Sequence, residues 1–295
     1  MIISASPNDV PGGPKVVAIG SFDGVHLGHQ HLLTQARQLA KESGRPLLVY
    51  TFDPPTKVFV RGVGMLSTLT EKLELLAEHG VDVTLAVPFD KDFASRSKEE
   101  FLQDLHQIGA AQIVVGADFG FGRGRSGGPE DLKEVAPTLT VPLLELAGEP
   151  VKSTRIRQLL QAGDVEAARH LLGRPYSARG LVIRGDGIGA KLGFPTANVE
   201  PAANKVLPPG VFAARAKSEA GDYPAVVNVG VRPTIGGDEL RFEAHLLGFN
   251  GDLYGHELQV TFLKKLRDEK RFDSTDDLKQ QIAADLEETR RFFGL

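Results

Sequence analysis

Two histidines three positions apart stand in a glycine-rich turn near the start of the chain. Glycine permits a close approach of the backbone to a phosphate, and a helix that begins there offers free N–H groups and a positive dipole end. Both imidazoles could donate hydrogen bonds to a polyphosphate, whereas two surface histidines in a flexible loop are the alternative. The residues expected at this phosphate site are Gly20, Phe22, Asp23, Gly24, His26, Gly28 and His29.

Three further segments of the first half could line the same site. Ser153 and Thr154 are suited to cap a helix whose first turn carries Arg157, which is a common phosphate cradle. A glycine-rich run with two arginines surrounds Asp118, and Asp53 follows a strand at the edge where ligands bind. Taken singly, these segments are also typical of a capped helix, a flexible loop and a strand exit.

The second half contains another glycine-rich run, which ends in Gly193-Phe194-Pro195-Thr196-Ala197-Asn198. It is not a Walker loop, because Leu192 follows the lysine, and Pro195 argues against the helix of a dinucleotide fingerprint. The run could still form a flap over a nucleotide, and oxygen donors at its end suit a hard cation such as Mg²⁺. The flap residues are Gly185, Gly189, Lys191 and Gly193, and the expected metal ligands are Thr196 and Asn198.

Apolar strands alternate with amphipathic helices in the first half, which predicts a parallel sheet covered on both faces. Ligands of such sheets bind beyond the carboxyl ends of the strands. Ser97 and Glu100 predict a capping box. The predicted strands are 15–20, 46–52, 83–87, 112–116 and 141–146, and the predicted helices include 27–42 and 71–79.

The pattern changes near Gly173, where short strands separated by turn residues begin. This pattern of short strands and turns predicts a small antiparallel barrel. A helix over 275–293, with Ser274 as its cap, is expected to close the barrel. The predicted barrel strands are 178–183, 211–215, 225–229, 240–247 and 258–263. We therefore predict an α/β domain over residues 1–173 and a barrel domain over 174–295.

Composition excludes several classes of protein. The chain of 295 residues has no cysteine, which excludes a disulfide framework, a thiol nucleophile and a Cys-ligated zinc site. Its net charge is −4 and neither half is basic, so we expect no nucleic-acid partner. No long apolar run is present, so we expect a cytoplasmic protein without a membrane anchor. The oligomeric state, monomer or weak homo-oligomer, is left open.

The first half resembles the N-terminal domain of the bacterial bifunctional riboflavin kinase/FAD synthetases, which are HxGH nucleotidyltransferases. The resemblance implies that His26 and His29 stabilise a departing pyrophosphate and that Asp118 lies near the ATP–FMN site. Thr154 and Arg157 fall on the family's Ser-Ser-Thr-x-Ile-Arg motif. Lys152 replaces the first serine of that motif, so we expect an altered affinity for nucleotide rather than lost activity.

The second half resembles the riboflavin kinase domain in the intact string from Gly193 to Asn198 and in further segments. The resemblance implies that Thr196 and Asn198 bind the Mg²⁺-nucleotide and that Glu243 is the general base. It also places Arg267, Glu269 and Phe272 beside the flavin, as it does Asp53 and Asp118 in the first half. The further matching segments are 228–234, 243–247, 251–255 and 267–272.

The sequence therefore predicts a two-step enzyme that uses ATP to phosphorylate riboflavin to FMN and then transfers AMP onto FMN to give FAD. Riboflavin, FMN and ATP are the expected small-molecule partners, and Mg²⁺ is the expected cofactor. Two alternatives stay open at this point. One is a riboflavin kinase with a weakened adenylyltransferase, and the other is a non-catalytic flavin-binding module.

Overall fold

The computed structural model describes residues 1–185, 187–234 and 237–295, without the side chains of 188, 191, 231–234 and 237–239. Contacts between Cα atoms divide the chain into two compact units, Met1–Ser153 and Thr154–Leu295. Each unit has a fold of its own.

The first unit is built on a six-stranded sheet. All neighbouring strands are parallel, in the order β1-β4-β3-β2-β5-β6. The parallel sheet predicted from the alternation of strands and helices is therefore confirmed. Its strands are β1 (Ile2–Ser4), β2 (Lys15–Ile19), β3 (Leu47–Asp53), β4 (Val83–Pro88), β5 (Ala110–Gly116) and β6 (Thr138–Val141).

Both faces of this sheet are covered, because alternate residues of one strand enter different cores. In β2, Val17 and Ile19 belong to one apolar cluster, whereas Val16 and Ala18 belong to another. Side chains alternate between the faces of a strand, so a strand buried on both faces is expected to be largely apolar. This requirement explains the unbroken apolar runs that marked these strands in the sequence.

Helices cover the sheet and begin where the sequence provides caps. The α1 helix begins after His26, and its C-cap Gly44 has a φ of 64°. The predicted capping box of Ser97 and Glu100 is present at α5, and Thr68 with Glu71 forms a second one at α3. The helices of this unit are α1 (Leu27–Ser43), α2 (Thr56–Arg61), α3 (Leu69–Glu78), α4 (Lys91–Ser95) and α5 (Lys98–Gln107), with short 3-10 helices at Pro7–Asp9, Arg123–Arg125 and Asp131–Glu134.

The strand predicted over 141–146 is wrong. The sheet strand β6 ends at Val141, and the next residue, Pro142, has no N–H to donate to a ladder. The chain then leaves the sheet and forms a two-stranded antiparallel ribbon of β7 (Glu145–Leu146) and β8 (Glu149–Pro150). The apolar residues at this point mark the exit from the sheet.

The second unit is a closed antiparallel barrel with a terminal helix, as predicted. Its strand order is β10-β13-β12-β11-β14-β9, and β9 also pairs with β10. The strands are β9 (Ser177–Ile183), β10 (Ala197–Pro201), β11 (Gly210–Ser218), β12 (Gly221–Thr234), β13 (Gly237–Leu246) and β14 (Glu257–Arg267); the helices are α6 (Ser153–Gln161), which begins at the last residue of the first unit, α7 (Val165–Leu172), α8 (Ile188–Lys191) and α9 (Thr275–Phe293).

The helical segment before the barrel belongs to the second unit by its contacts. The α7 helix contacts β14, and Lys265 Nζ donates to the carbonyl of Ala162 at 3.2 Å. The contacts thus change at Ser153, whereas the sequence pattern changes at Gly173. The boundary at 173 stays a prediction about where the functional domains separate.

Candidate active sites

The histidine turn lies at the carboxyl end of β2 and leads into α1. Its backbone folds back sharply, since Phe22, Gly24 and Val25 have φ values of 46°, 77° and 37°. His26 is the N-cap of α1, and its Nδ1 accepts a hydrogen bond from the backbone N–H of His29 at 3.4 Å. The turn therefore ends at a helix N-terminus on the edge of the sheet where ligands of this fold class bind.

The two imidazoles are stacked on each other at this helix start. Their ring centroids are 3.7 Å apart and the rings are nearly parallel, while the buried Phe22 ring lies 5.2 Å from that of His29. A Cβ added to Gly28 would lie 3.2 Å from both the His26 ring and the carbonyl oxygen of Val151. Gly28 thus allows the strand exit before α6 to approach the histidines.

Asp23 is placed differently from a phosphate ligand. Its carboxylate is buried and accepts hydrogen bonds from the N–H groups of Leu66 and Ser67, at 2.9 and 3.2 Å. Gly24 N–H in turn donates to Ser67 Oγ at 2.9 Å. Asp23 therefore ties the histidine turn to the segment that precedes α3, a contact that the sequence pattern did not indicate.

Lys152, which departs from the family motif, pairs with the glycine-rich loop. Its Nζ lies 3.0 Å from Asp118 Oδ2, and both side chains are partly exposed. The carbonyl of Asp118 also accepts a hydrogen bond from Arg125 at 2.6 Å. Because Lys152 follows the Val151 carbonyl that contacts Gly28, its charge lies on the side of the sheet that carries the histidine turn.

Replacing Lys152 by serine is expected to raise the KM for ATP in FMN adenylylation by up to about tenfold and to leave riboflavin phosphorylation unchanged. The reason is that the change removes a positive charge beside the predicted phosphate site. Folding should be little affected, because an exposed ion pair contributes only about 0–1 kcal/mol to stability. Initial rates at varied ATP measure the effect. Lys133→Ser, at another exposed lysine of this unit, is the control; equal KM values for the two variants would contradict the prediction.

The other residues expected at the phosphate site lie at the ends of two strands and in α6. Asp53 is the last residue of β3 and is half-buried, and Gly20 directly follows β2, where an added Cβ would lie 3.1 Å from the Phe22 ring. Ser153, which the sequence predicted with Thr154 as a cap, is the first residue within α6; Thr154 is exposed, and Arg157 is buried further along the helix. These placements agree with the sequence at the level of strand ends and helix start.

In the barrel, Glu243 lies between two asparagines on neighbouring strands. The register pairs it with Asn198 of β10 on one side and with Asn228 of β12 on the other. Directly paired residues of antiparallel strands present their side chains on the same face. The buried neighbours Phe242 and Ala244 alternate with Glu243 along β13, so this polar row lies on the outer face of the barrel.

The flap glycines contact the residues expected to bind metal. A Cβ at Gly185 would overlap the Asn198 amide, and one at Gly189 would lie 3.0 Å from Thr196 Oγ1. Gly193 has a φ of 90°, which favours glycine. The side chains of Lys191 and of the matching residues 231–234 lie outside what the structure describes, as does the whole of Asp186. The predicted flap and the predicted metal ligands are thus brought together.

Contacts from β13 hold the same string of residues. His245 Nδ1 lies 2.7 Å from the Pro195 carbonyl oxygen, and its ring packs edge-on against Phe194. Glu243 Oε1 lies 3.8 Å from an Arg241 nitrogen, and about a quarter of each of the two side chains is exposed. The β13 strand therefore both carries Glu243 and fixes the segment that leads to Thr196.

Arg267 and Glu269 line an open pocket of about 520 Å³ between the end of β14 and α9. Arg267 donates to the buried Asp285 carboxylate at 2.8–3.1 Å and lies over the Phe272 ring. An added Cβ at Gly230 would overlap the Glu269 carboxylate. The three residues of the second unit that are expected beside a flavin thus lie together, and Arg267 also anchors α9.

Comparisons with known proteins cover both units. A family model described as FAD synthetase matches residues 11–155, and one described as riboflavin kinase matches residues 172–293. Curated proteins called bifunctional riboflavin kinase/FMN adenylyltransferase are 40% identical in Escherichia coli and 36% identical in Bacillus subtilis. Each alignment covers 95% of this chain and 93% of the relative.

A solved structure also matches nearly the whole chain. It is described as a macrolide-efflux protein from Streptococcus pneumoniae, and it superimposes with a TM-score of 0.88 at 33% identity over 98% of each chain. Among the residues described for the present chain, no helix is long and apolar enough to cross a membrane. On the matches of both halves and of the full length, the chain belongs to the family of bifunctional riboflavin kinase/FMN adenylyltransferases.

Proposed function

We propose that the barrel phosphorylates riboflavin and that the parallel-sheet unit adenylylates the FMN so formed, each with its own ATP. The family carries both activities, and its two domain models match the two halves of this chain. The functional boundary proposed from the sequence, at residue 173, falls within two residues of the start of the riboflavin kinase match. Both reactions consume ATP, which supports the expected location in the cytoplasm.

The observation that carries the kinase assignment is the pairing of Glu243 with Asn198 across β13 and β10. In the proposed step, the Glu243 carboxylate takes the proton of the terminal ribityl hydroxyl, whose oxygen attacks the γ-phosphorus of ATP. The bond to the β-phosphate oxygen breaks, and the products are FMN and ADP. In this proposal, the flap around Gly185 and Gly189 covers the nucleotide, which its close approach to Asn198 and Thr196 supports.

Mg²⁺ fits the donors that stand beside Glu243. The Thr196 hydroxyl and the Asn198 carbonyl oxygen are neutral oxygen ligands, and Mg²⁺ takes few protein ligands beside waters and substrate phosphates. Among the side chains that the structure describes, no three of His, Asp or Glu form a metal cluster, so phosphate oxygens would supply the negative charge. When bound, the ion would neutralise the phosphates and orient the γ-phosphoryl group.

In the adenylylation step, a phosphate oxygen of FMN attacks the α-phosphorus of ATP and pyrophosphate leaves. In this proposal, the N–H groups at the start of α1 and the imidazoles of His26 and His29 stabilise the charge that grows on pyrophosphate. No covalent protein intermediate is required, which agrees with the absence of cysteine. Asp53, Asp118 and Lys152 would border the substrates at the same edge of the sheet.

One assay separates this proposal from its alternatives. The purified chain is incubated with riboflavin, ATP and Mg²⁺, and FMN and FAD are followed by chromatography. We expect FMN to appear first and FAD to follow. FMN that is never converted would favour a kinase with a weakened adenylyltransferase, and the absence of both products would favour a flavin-binding module.

A further inference from the structure

Lys72 is a lysine with no exposed surface inside the parallel-sheet unit. It stands on α3, and the segment that precedes this helix is bound to the histidine turn through the Asp23 contacts described above. Lysine is almost never fully buried unless its charge is paired. A buried ammonium beside a nucleotide site therefore requires an explanation beyond packing.

The ammonium contacts the end of β3. Lys72 Nζ donates to the Phe52 carbonyl oxygen at 2.7 Å and lies 3.5 Å from Thr51 Oγ1. Thr51 Oγ1 in turn donates to the carbonyl oxygen of Ser21 in the histidine turn at 3.2 Å. One continuous set of polar contacts thus connects α3, the last residues of β3 and the turn that leads to His26.

Two carboxylates face Lys72 from neighbouring elements, Asp23 in the histidine turn and Asp53 at the end of β3. Glu71 and Glu74 stand on α3 itself, where Glu71 forms the capping box. Burial lowers the pKa of Lys72 to about 8, although the two aspartates act in the opposite direction. Lys72 is therefore expected to lose its positive charge at about pH 8.

We propose that Lys72 is a positioning residue for FMN adenylylation, whose protonated ammonium holds the end of β3 and the histidine turn in the arrangement that binds ATP. The inference rests on the proposed function of this unit and assigns a role to a residue that does not itself reach substrate. Loss of the proton weakens the hydrogen bonds that Lys72 donates to Phe52 and Thr51, because they are no longer charge-assisted, and it removes the positive charge that acts on Asp23 and Asp53. Displacement of catalytic groups by about 1 Å can cost up to about a hundredfold in rate.

The pH dependence distinguishes positioning from a purely structural role. Unfolded lysine keeps its proton up to its ordinary pKa of about 10.5, whereas folded Lys72 loses it above about 8. The unfolded chain binds more protons in this window, so the contribution of Lys72 to the free energy of unfolding rises from pH 8 to 10.5. The rate of adenylylation is expected to fall over the same pH range, whereas the contribution of Lys72 to stability rises.

The experiment measures kcat/KM for conversion of supplied FMN to FAD from pH 6.5 to 9.5 with the full chain, and riboflavin phosphorylation in the same samples. For the unsubstituted chain we expect adenylylation to fall with an apparent pKa near 8. Lys72→Met is expected to lower adenylylation at pH 7 by about tenfold to a hundredfold and to abolish that alkaline decline. The kinase rate should be unchanged.

Lys15→Met is the matched control. Lys15 is also buried, but it begins β2 at the opposite edge of the sheet and donates to the carbonyls of Gly13 and Ile108. The Lys15→Met variant should show the same fall of adenylylation above about pH 8 as the unsubstituted chain, even if its melting temperature falls as far as that of Lys72→Met. A decline retained in Lys72→Met, or equal losses of activity in both variants, would overturn the proposal.

Thr51→Val keeps the test decisive if Lys72→Met does not fold. This nearly isosteric change removes the hydroxyl between Lys72 and Ser21, and we expect adenylylation to fall severalfold with the kinase rate unchanged. An unaltered adenylylation rate would then overturn the role of Lys72. Failure of the unsubstituted chain to make FAD at any pH would instead overturn the proposed adenylylation itself.

Discussion

Replacing His29 by alanine is expected to slow the conversion of FMN to FAD by roughly 10²–10³-fold, the usual effect of losing one donor to a developing charge. His29 is stacked on His26 in the first turn of α1, so its ring stands at the N-terminal end of the helix. Negative charge grows on the pyrophosphate as the bond to the α-phosphorus breaks. Initial rates with supplied FMN measure the loss, and conversion of riboflavin to FMN should continue.

His31→Ala provides the matched control for this change. His31 lies two positions further along α1 and outside the histidine turn, so its removal should leave both rates within about twofold of the unsubstituted chain. An unchanged FMN-to-FAD rate in His29→Ala would remove His29 from the site. Equal losses in the two variants would indicate damage to α1 rather than to phosphate binding.

Glu243→Gln is expected to slow riboflavin phosphorylation by roughly 10²–10⁴-fold. Glutamine has nearly the same shape but cannot accept the hydroxyl proton as a carboxylate does, and the protonated ribityl hydroxyl is a poor nucleophile. Nucleotide binding should survive, because Asn198, Thr196 and the flap glycines keep their contacts. Supplied FMN should still become FAD.

The measurement is a pair of initial rates, riboflavin to FMN and FMN to FAD, on one variant with a near-normal melting temperature. Glu257→Gln is the control, since this carboxylate begins β14 and is mostly exposed. A kinase rate unchanged in Glu243→Gln would show that the base lies elsewhere. A parallel fall of both rates would show that the two sites are coupled and that the proposal of independent sites fails.

Local patterns predicted both fold classes and the identity of the motifs. The apolar runs of β2 and β3 and the capping box of Ser97 and Glu100 depend on neighbouring residues, so they can be recognised without a structure. The histidine turn and the string from Gly193 to Asn198 are contiguous for the same reason. The strand predicted over 141–146 was wrong because one proline outweighed an apolar run.

Contacts between distant segments were decided only by the tertiary structure. Asn198 and Glu243 are 45 positions apart, and a shift of one residue in the β10–β13 register would place their side chains on opposite faces. The partners of Lys152 and Lys72 are likewise remote in the chain, so nothing in their own segments distinguishes a solvated lysine from a buried or paired one. Periodicity reports which face of an element is apolar, but burial and charge pairing depend on what packs against that face.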